Sequence, residues 1–241
     1  MRDRLQLTDS QQQTLVEIGR FRTVEAGDLE RFRYGGDRAL AKRDALALSE
    51  LGLVSRRTAY LDKGRSELDV LVLTERGKRV AERHAESAQA VYAGFVKPAE
   101  VAHDAAIYPM FRKESAAIEK EGGKVRRVVL DYELKAKIFS PLAKARRVSL
   151  PEYARRQQEV AKEVGLKIVS GKIALPDLRI EYETSTGEIC RVDLELATHH
   201  YHGSHLQTKA EAGFKMYAAG DTGQLRAALD EREITAAILS L

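Results

Sequence analysis

Residues 175–217 read LPDLRIEYETSTGEICRVDLELATHHYHGSHLQTKAEAGFKMY, and this segment decides the fold of the second half of the chain. A Pro-Asp pair begins an alternating apolar and polar run to Glu183, the pattern of a half-buried strand. A Ser-Thr-Gly turn at 185–187 leads to a second alternating run at 189–198. Residues 204–219 have helical periodicity. The segment therefore predicts a strand, a turn, a second strand and a helix.

Acidic residues on these two strands are candidates for a metal site. Residues two apart on a strand share a face, so Asp193 and Glu195 point the same way. Burying carboxylates is unfavourable unless they form ion pairs or bind a metal. We expect Asp177 and Glu195 to bind Mg²⁺ or Mn²⁺, which prefer oxygen ligands, with assistance from Glu133. Lys209 on the following helix is then placed to stabilise negative charge developing on a phosphate.

Each of these residues also has an ordinary structural interpretation. Asp177 can cap the start of a strand, Asp193 can pair with an arginine, and Lys209 can lie in solvent. Four histidines near the helix suggest zinc, but they lack a helical i, i+4 pair with a supporting acid. A surface loop or a phosphate contact is the favoured interpretation of His199, His200, His202 and His205.

The elements around this segment complete a domain of mixed α and β structure. The pattern predicts a helix at 100–121, a strand at 124–132, a helix at 222–231 and a strand at 236–241. Between them, residues 135–172 carry ten Lys and Arg against three Glu, an excess of seven positive charges in a chain whose net charge is +4. Such an excess suits a phosphate backbone, although a solvated helical face has the same composition.

The first 96 residues have the element order of a winged helix-turn-helix. Two short helical patterns precede Gly35-Gly36, and Asp37 can cap a third helix at 38–51. Strands at 53–61 and 67–73 then form a hairpin, and Thr74 caps a long helix at 75–95. The sequence segments SELGLV before the hairpin and LTERGKRV after it closely resemble those of winged helix-turn-helix proteins.

A module of this shape binds double-stranded DNA with its third helix in the major groove and its hairpin along the backbone. The candidate DNA-binding residues are Arg38, Lys42 and Arg43 on the helix, with Arg56, Arg57, Lys63 and Arg65 on the hairpin. The alternative is a winged helix used for protein contact. The long helix at 75–95 is a candidate contact in a homodimer.

The second half resembles the PD-(D/E)xK nuclease superfamily, whose core is αβββαβ. Pro176-Asp177 matches the first part of that motif and Glu195 matches its second acid. Ala197 stands where the motif has its lysine, and the resemblance implies that Lys209 supplies that charge from the next helix.

The whole chain resembles the replication-relaxation family of bacterial mobile elements. The residues that carry this resemblance are His103, Glu133, Pro176-Asp177, Glu195, Lys209 and Tyr217. It implies an α+β or α/β chain with a winged helix at 1–96 and a nuclease-like domain at 97–241, which contains the basic insertion 135–172. It also implies a DNA function associated with a plasmid or transposon.

Composition narrows the remaining possibilities. A single cysteine, Cys190, excludes an internal disulfide framework and a cysteine-based zinc site. No apolar run is long enough for a membrane span, and the first residues have no apolar signal region, so we expect a cytoplasmic protein without membrane contact. Two functions stay open: a metal-dependent DNA endonuclease, or a non-catalytic regulator or replication accessory protein with a degenerate nuclease fold.

Overall fold

The computed structural model describes residues 6–61, 66–95, 97–147, 149–197, 203–218 and 238–241. The chain forms two compact units, Met1–Glu114 and Ser115–Leu241. The sequence pattern placed the boundary after residue 96, whereas the units divide after Glu114, within a long helix. The first half of that helix therefore belongs with the N-terminal unit. Within the described ranges, no helix is long and apolar enough to cross a membrane.

The first unit consists of short helices and a three-stranded sheet. Its elements are α1 (Asp9–Phe21), β1 (Val24–Glu25), α2 (Ala26–Arg33), α3 (Arg38–Glu50), β2 (Val54–Leu61), β3 (Ser66–Leu73) and α4 (Glu75–Ala81). The strand order in the described sheet is β1-β3-β2, with both pairs antiparallel. This arrangement has the element order predicted for a winged helix-turn-helix.

Local chemistry explains where these helices begin. Thr8 and Gln11 form a capping box at the start of α1, and the Asp37 side chain accepts a hydrogen bond from the Leu40 backbone at the start of α3. Thr74 caps α4 in the same way, through the backbone N–H of Gly77. The sequence patterns predicted the caps at Asp37 and Thr74 correctly.

The long helix predicted at 75–95 is wrong, because α4 ends at Ala81. The chain then returns across α1 and β3. The Tyr92 N–H donates to the Gly19 carbonyl at 2.7 Å, and the Gly94 N–H donates to the Leu73 carbonyl at 2.9 Å. These contacts bring Val91 into the core at 6% exposure. The helix that was expected to form the homodimer contact is therefore absent beyond Ala81, and the homodimer stays a prediction.

A short 3₁₀ helix at Pro98–Glu100 leads into α5 (Val101–Lys120). Tyr108 and Phe111 on α5 pack tilted against Phe21, with ring centroids 5.1 and 4.9 Å apart. Val101 is fully buried in a cluster with Ala59 and other residues of the hairpin. Burial of each large apolar side chain stabilises the folded state by about 1.5–3 kcal/mol. These contacts therefore hold the first half of α5 in the first unit.

The second unit is built on a five-stranded mixed sheet. After α5 come β4 (Lys124–Leu130), α6 (Asp131–Arg146), α7 (Leu150–Val164), the hairpin β5 (Ile168–Val169) and β6 (Lys172–Ile173), then β7 (Leu178–Glu183), β8 (Ile189–Ala197), α8 (Gly203–Ala212), β9 (Lys215–Ala218) and β10 (Ile238–Ser240). The described order is β10-β9-β8-β7-β4. Strands β4, β7 and β8 are antiparallel neighbours, whereas β9 and β10 run parallel to β8.

The structure corrects two predicted boundaries in this unit. The strand expected to reach residue 132 ends at Leu130, and α6 begins at once with Asp131. The helix expected at 204–219 ends at Ala212, because Gly213 takes a left-handed φ of 87° and the chain re-enters the sheet as β9. Tyr217, expected on that helix, therefore lies in a strand. The helix predicted at 222–231 lies outside the described residues.

Candidate functional site

Helix α3 separates a buried face from a cationic one. Ala41, Asp44 and Leu48 are buried, while Arg38 and Lys42 are exposed to solvent. Arg43 is also exposed, with 69% of its side chain accessible, and its guanidinium lies 3.3 Å from Asp44. The face available to a partner therefore carries three positive charges along about one and a half helical turns.

A buried carboxylate fixes α3 in this orientation. Asp44 is fully buried and accepts hydrogen bonds from the Ser10 hydroxyl at 2.7 Å and the Tyr34 hydroxyl at 3.2 Å. The Thr14 and Tyr34 hydroxyls are 2.6 Å apart and extend the network. Burial is the largest effect on Tyr34, whose pKa is raised. This network ties α3 to α1 and to the end of α2, so the exposed cations stand on a rigid support.

The hairpin offers fewer available cations than its sequence suggests. Arg56 makes a two-pronged ion pair with Asp69 across β2 and β3, and this hydrogen bonding raises the pKa of the guanidinium. Arg57 is exposed beside it. Lys63 and Arg65, expected at the tip of the wing, lie outside the described residues. A cavity of about 210 Å³ lies between α2, α3 and the hairpin, with Arg38, Lys42 and Arg56 in its lining.

In the second unit, three acidic residues occupy one row across the sheet. The register pairs Leu130 with Leu178, and Leu178 with Leu194. The residues that follow this row along the three segments are Asp131, Asp177 and Glu195. Asp131 and Asp177 lie just outside β4 and β7, where backbone hydrogen bonds hold them: the Asp131 N–H donates to the Asp177 carbonyl at 3.2 Å, and the Asp177 N–H donates to the Leu194 carbonyl at 3.1 Å. Asp177 is thus bonded to the residue that precedes Glu195 in β8.

The side chains of this row have different partners. Glu195 is fully buried, and its Oε1 lies 2.7 Å from the Lys209 Nζ. Lys209 also donates to the Leu175 carbonyl at 2.6 Å. The Asp177 Oδ2 accepts from the Leu196 N–H at 2.8 Å, as a strand-entry cap would. Asp131 forms an ion pair with Lys135. The structure therefore brings Asp177, Glu195 and Lys209 to one place.

Glu133 is held by other residues. It is on the first turn of α6, where it pairs with Arg127 and, at 2.7 Å, with Lys137. Burial raises its pKa, but hydrogen bonds from Lys137 and Arg127 outweigh that effect, so the pKa lies below its ordinary value. Arg127 is aligned with Glu181, which is four positions from Asp177 along β7. Asp131, which the sequence patterns did not select, occupies the row where Glu133 was expected.

Ala197 has a packing role that explains the position of the lysine. It is 2% exposed in a cluster with Leu206 of α8 and Met216 of β9. A lysine at this point would have to bury its ammonium among apolar side chains. Lys209, one turn further along α8 than Leu206, reaches Glu195 from the same side of the sheet.

The remaining candidates are Asp193, His103, Tyr217 and the four histidines near α8. Asp193 forms a two-pronged ion pair with Arg179, at 2.7 and 2.9 Å, which is the structural role considered for it. His103 lies on α5 in the other unit, 3.4 Å from Asp104. Tyr217 is buried in β9. His199, His200 and His202 lie outside the described residues, whereas His205 lines a cavity of about 460 Å³ that includes Lys209.

The acid row fits a divalent cation only in part. Carboxylate oxygens are suitable ligands for Mg²⁺ or Mn²⁺, and Asp177 forms hydrogen bonds with the backbone of Leu194 and Leu196 on either side of Glu195. Across the described residues, however, no three His, Cys, Asp or Glu side chains are grouped so that they could hold one ion. The described site therefore offers two carboxylates and a lysine, and a cation there would need water and phosphate oxygens to complete its shell.

No family model matches the sequence, and no curated protein matches it. The structure is similar to that of PadR from Bacillus subtilis, solved in complex with operator DNA. The two share 12% identity with a TM-score of 0.23, over 64% of this chain and 94% of that one. A TM-score of this size does not establish a shared fold.

Proposed function

We propose that this protein binds double-stranded DNA through its first unit. The observation that supports this proposal best is the exposed face of α3, where Arg38, Lys42 and Arg43 stand beside the β2–β3 hairpin while the opposite face is held by Asp44. A helix of 13 residues is about 20 Å long and fits the major groove, which is about 12 Å wide. The three cations then reach phosphates or the edges of guanines.

The hairpin completes this interface. Arg56 lines the same cavity as Arg38 and Lys42, but its charge is balanced by Asp69. Arg57 is exposed and points to the opposite face of the hairpin, because successive residues of a strand alternate in direction. We therefore expect Arg56 to contact the DNA backbone beside α3 only when it leaves its carboxylate partner. Lys63 and Arg65 remain predicted contacts of the wing tip.

The test is the double variant Arg38→Ala/Lys42→Ala, measured by fluorescence anisotropy with a labelled duplex. Losing two phosphate or base contacts should weaken binding by about 10- to 100-fold at fixed salt. The matched control is Lys78→Ala/Arg79→Ala, which removes the same charge from α4. An equal loss in both variants would show that net charge, not the face of α3, governs binding.

A second candidate function is a metal-dependent DNA endonuclease, favoured by the hydrogen bonds that hold Asp177 at the backbone beside Glu195 and by the ion pair of Lys209 with Glu195. If α6, α7, β5, β6 and β10 are set aside, the order α5-β4-β7-β8-α8-β9 has the αβββαβ sequence of elements expected for the PD-(D/E)xK core, which supports this candidate. Asp177 and Glu195 would hold Mg²⁺ or Mn²⁺. A bound cation of this kind polarises the phosphate and lowers the pKa of an attacking water. Lys209 would stabilise the charge that develops on the phosphate oxygens.

Cleavage of supercoiled DNA with Mg²⁺ or Mn²⁺ tests this candidate. Asp177→Asn and Glu195→Gln should each reduce the rate by at least about 100-fold, because both carboxylates would act on the transition state. Glu133→Gln should keep most of the activity, since Glu133 pairs with Arg127 and Lys137. If the wild type binds DNA but cuts nothing with either metal, the second unit is a degenerate nuclease fold and the protein is a regulator or replication accessory factor.

The setting in a plasmid or another mobile element is supported only by the resemblance to the replication-relaxation family. A homodimer is likewise a proposal, and sedimentation of the protein with and without duplex would test it directly.

A further inference from the structure

Most of the basic insertion lies in helices α6 and α7, and the cations of these two helices differ in their ion pairing. On α7, Arg155 pairs with Glu152 and Glu159, and Arg156 pairs with Glu159 and Glu163. These pairs lie along one helix and balance its charge internally. The arginines of α7 are therefore a solvated, self-neutralised face, which is one of the two interpretations of this segment.

Helix α6 is different. Residues 134–151 contain no Asp or Glu, but they include Lys135, Lys137, Lys144, Arg146 and Arg147. Lys135 and Lys137 pair with acids on the first turn of α6. Lys144, Arg146 and Arg147 are exposed and form no ion pair with any residue that the structure describes. The last turn of α6 is thus an unbalanced positive patch.

An aromatic side chain stands on the same face as this patch. Phe139 is 53% exposed, and it lies four residues before Ala143 and seven before Arg146. Residues at this spacing share one helical face. Together with Tyr153 of α7, they line an open groove of about 540 Å³ between the two helices. The lining of the groove thus combines the aromatic rings of Phe139 and Tyr153 with the guanidinium groups of Arg146 and Arg147.

We propose that this groove, the α6 groove, binds single-stranded nucleic acid, with an unpaired base on Phe139 and the backbone phosphates on Arg146 and Arg147. Exposed rings interleaved with cations are how proteins bind single strands without sequence preference. The absence of acids from 134–151 supports a polyanionic partner, since carboxylates there would repel phosphates. An apolar protein surface would cover Phe139 but would leave the charges of Arg146 and Arg147 without partners.

This surface is independent of α3 and extends the proposed function. Duplex DNA bound by the first unit and a single strand bound by the α6 groove are two separate activities of one chain.

The experiment measures binding of the full chain to a labelled oligothymidine of about 20 nucleotides, which exceeds the usual site size. Phe139→Ala should weaken binding about tenfold, because one stacked base is lost. Phe139→Tyr should retain affinity, whereas Phe139→Leu should behave like the alanine variant if the ring rather than apolar area is needed. Because Phe139 is 53% exposed, these changes should lower the melting temperature by no more than a few degrees.

Charge is tested with a matched pair of double variants. Arg146→Ala/Arg147→Ala should weaken binding about tenfold. It should also reduce the magnitude of the slope of log K against log salt by about 1.4, because two phosphate contacts are lost. Arg155→Ala/Arg156→Ala removes the same charge from α7 and should change affinity less than twofold. The proposal is overturned if the wild type does not bind the single strand, or if the α7 variant loses as much affinity as the α6 variant.

The duplex-binding proposal can fail separately. Arg38→Ala/Lys42→Ala should leave single-strand affinity unchanged while it reduces duplex affinity. If that variant loses both activities equally, single strands bind at α3, and the α6 groove has no part in binding them.

Discussion

At the scale of single residues, the ion pairs of Glu133 make a prediction about pH. The pKa of Glu133 lies below its ordinary value, because hydrogen bonds from Lys137 and Arg127 outweigh the effect of burial. A carboxyl group of this kind stabilises the folded state above the pKa it has in the unfolded chain. That contribution disappears as the pH falls through the lower pKa of the folded state.

Glu133→Gln should therefore lower the free energy of unfolding by about 1 kcal/mol at pH 7 and have little effect at acidic pH, where wild type and variant converge. Urea denaturation across this pH range measures both. Glu119→Gln, at an exposed position on α5, provides the control and should follow wild type throughout. A Glu133→Gln deficit that persists in acid would mean that packing, not charge, gives this residue its role.

The candidate acids show how far residue types alone could lead. Pro176-Asp177, Glu195 and Lys209 could be selected from the sequence because they belong to clear strand and helix patterns. The third position could not, since it depends on where β4 ends: the strand stops at Leu130, so Asp131 enters the acid row and Glu133 turns toward Arg127. An error of two residues in a strand end is enough to exchange one acid for the other.

At the scale of elements, two helical glycines give opposite predictions. A Cβ on Gly77 of α4 would lie 1.9 Å from the Leu53 carbonyl oxygen, which is backbone and cannot easily move. A Cβ on Gly27 of α2 would meet nothing closer than a Glu25 side-chain oxygen at 3.7 Å. The close approach of α4 to the start of β2 therefore requires glycine, whereas the start of α2 does not.

Gly77→Ala should destabilise the protein by about 2–3 kcal/mol, while Gly27→Ala should stabilise it by up to about 0.5–1 kcal/mol through helix propensity and chain entropy. Thermal unfolding of the two variants beside wild type measures the difference. Equal melting temperatures for Gly77→Ala and wild type would contradict the packing of α4 against Leu53.

Element boundaries were predictable where capping chemistry marks them and not where tertiary contacts do. Thr8, Asp37, Thr74 and Ser149 each precede a helix and each cap it. The end of α4 has no such mark. Its early stop depends on Tyr92 and Gly94 bonding to distant backbone groups, and residues 82–95 alone have an acceptable helical composition.

At the scale of the whole molecule, the position of the unit boundary predicts which fragments fold. Tyr108, Phe111 and Val101 are almost fully buried in the first unit. A fragment of residues 1–114 should unfold cooperatively. A fragment of residues 1–96 lacks these three side chains and loses more than about 5 kcal/mol of apolar burial, comparable to the whole stability of a small domain. Urea unfolding followed by circular dichroism measures the free energy of unfolding of both fragments. Equal values would mean that the first unit ends at residue 96.

The central claim is that the exposed face of α3 binds duplex DNA, and the salt dependence of binding tests it most directly. Wild-type affinity for a duplex should fall linearly on a plot of log K against log salt, with a slope of about −0.9 for each phosphate contact. Arg38→Ala/Lys42→Ala should reduce that slope by about 1.8 if both cations contact phosphate, or by about 0.9 if one of them contacts a base. A variant slope equal to that of the wild type would contradict the account.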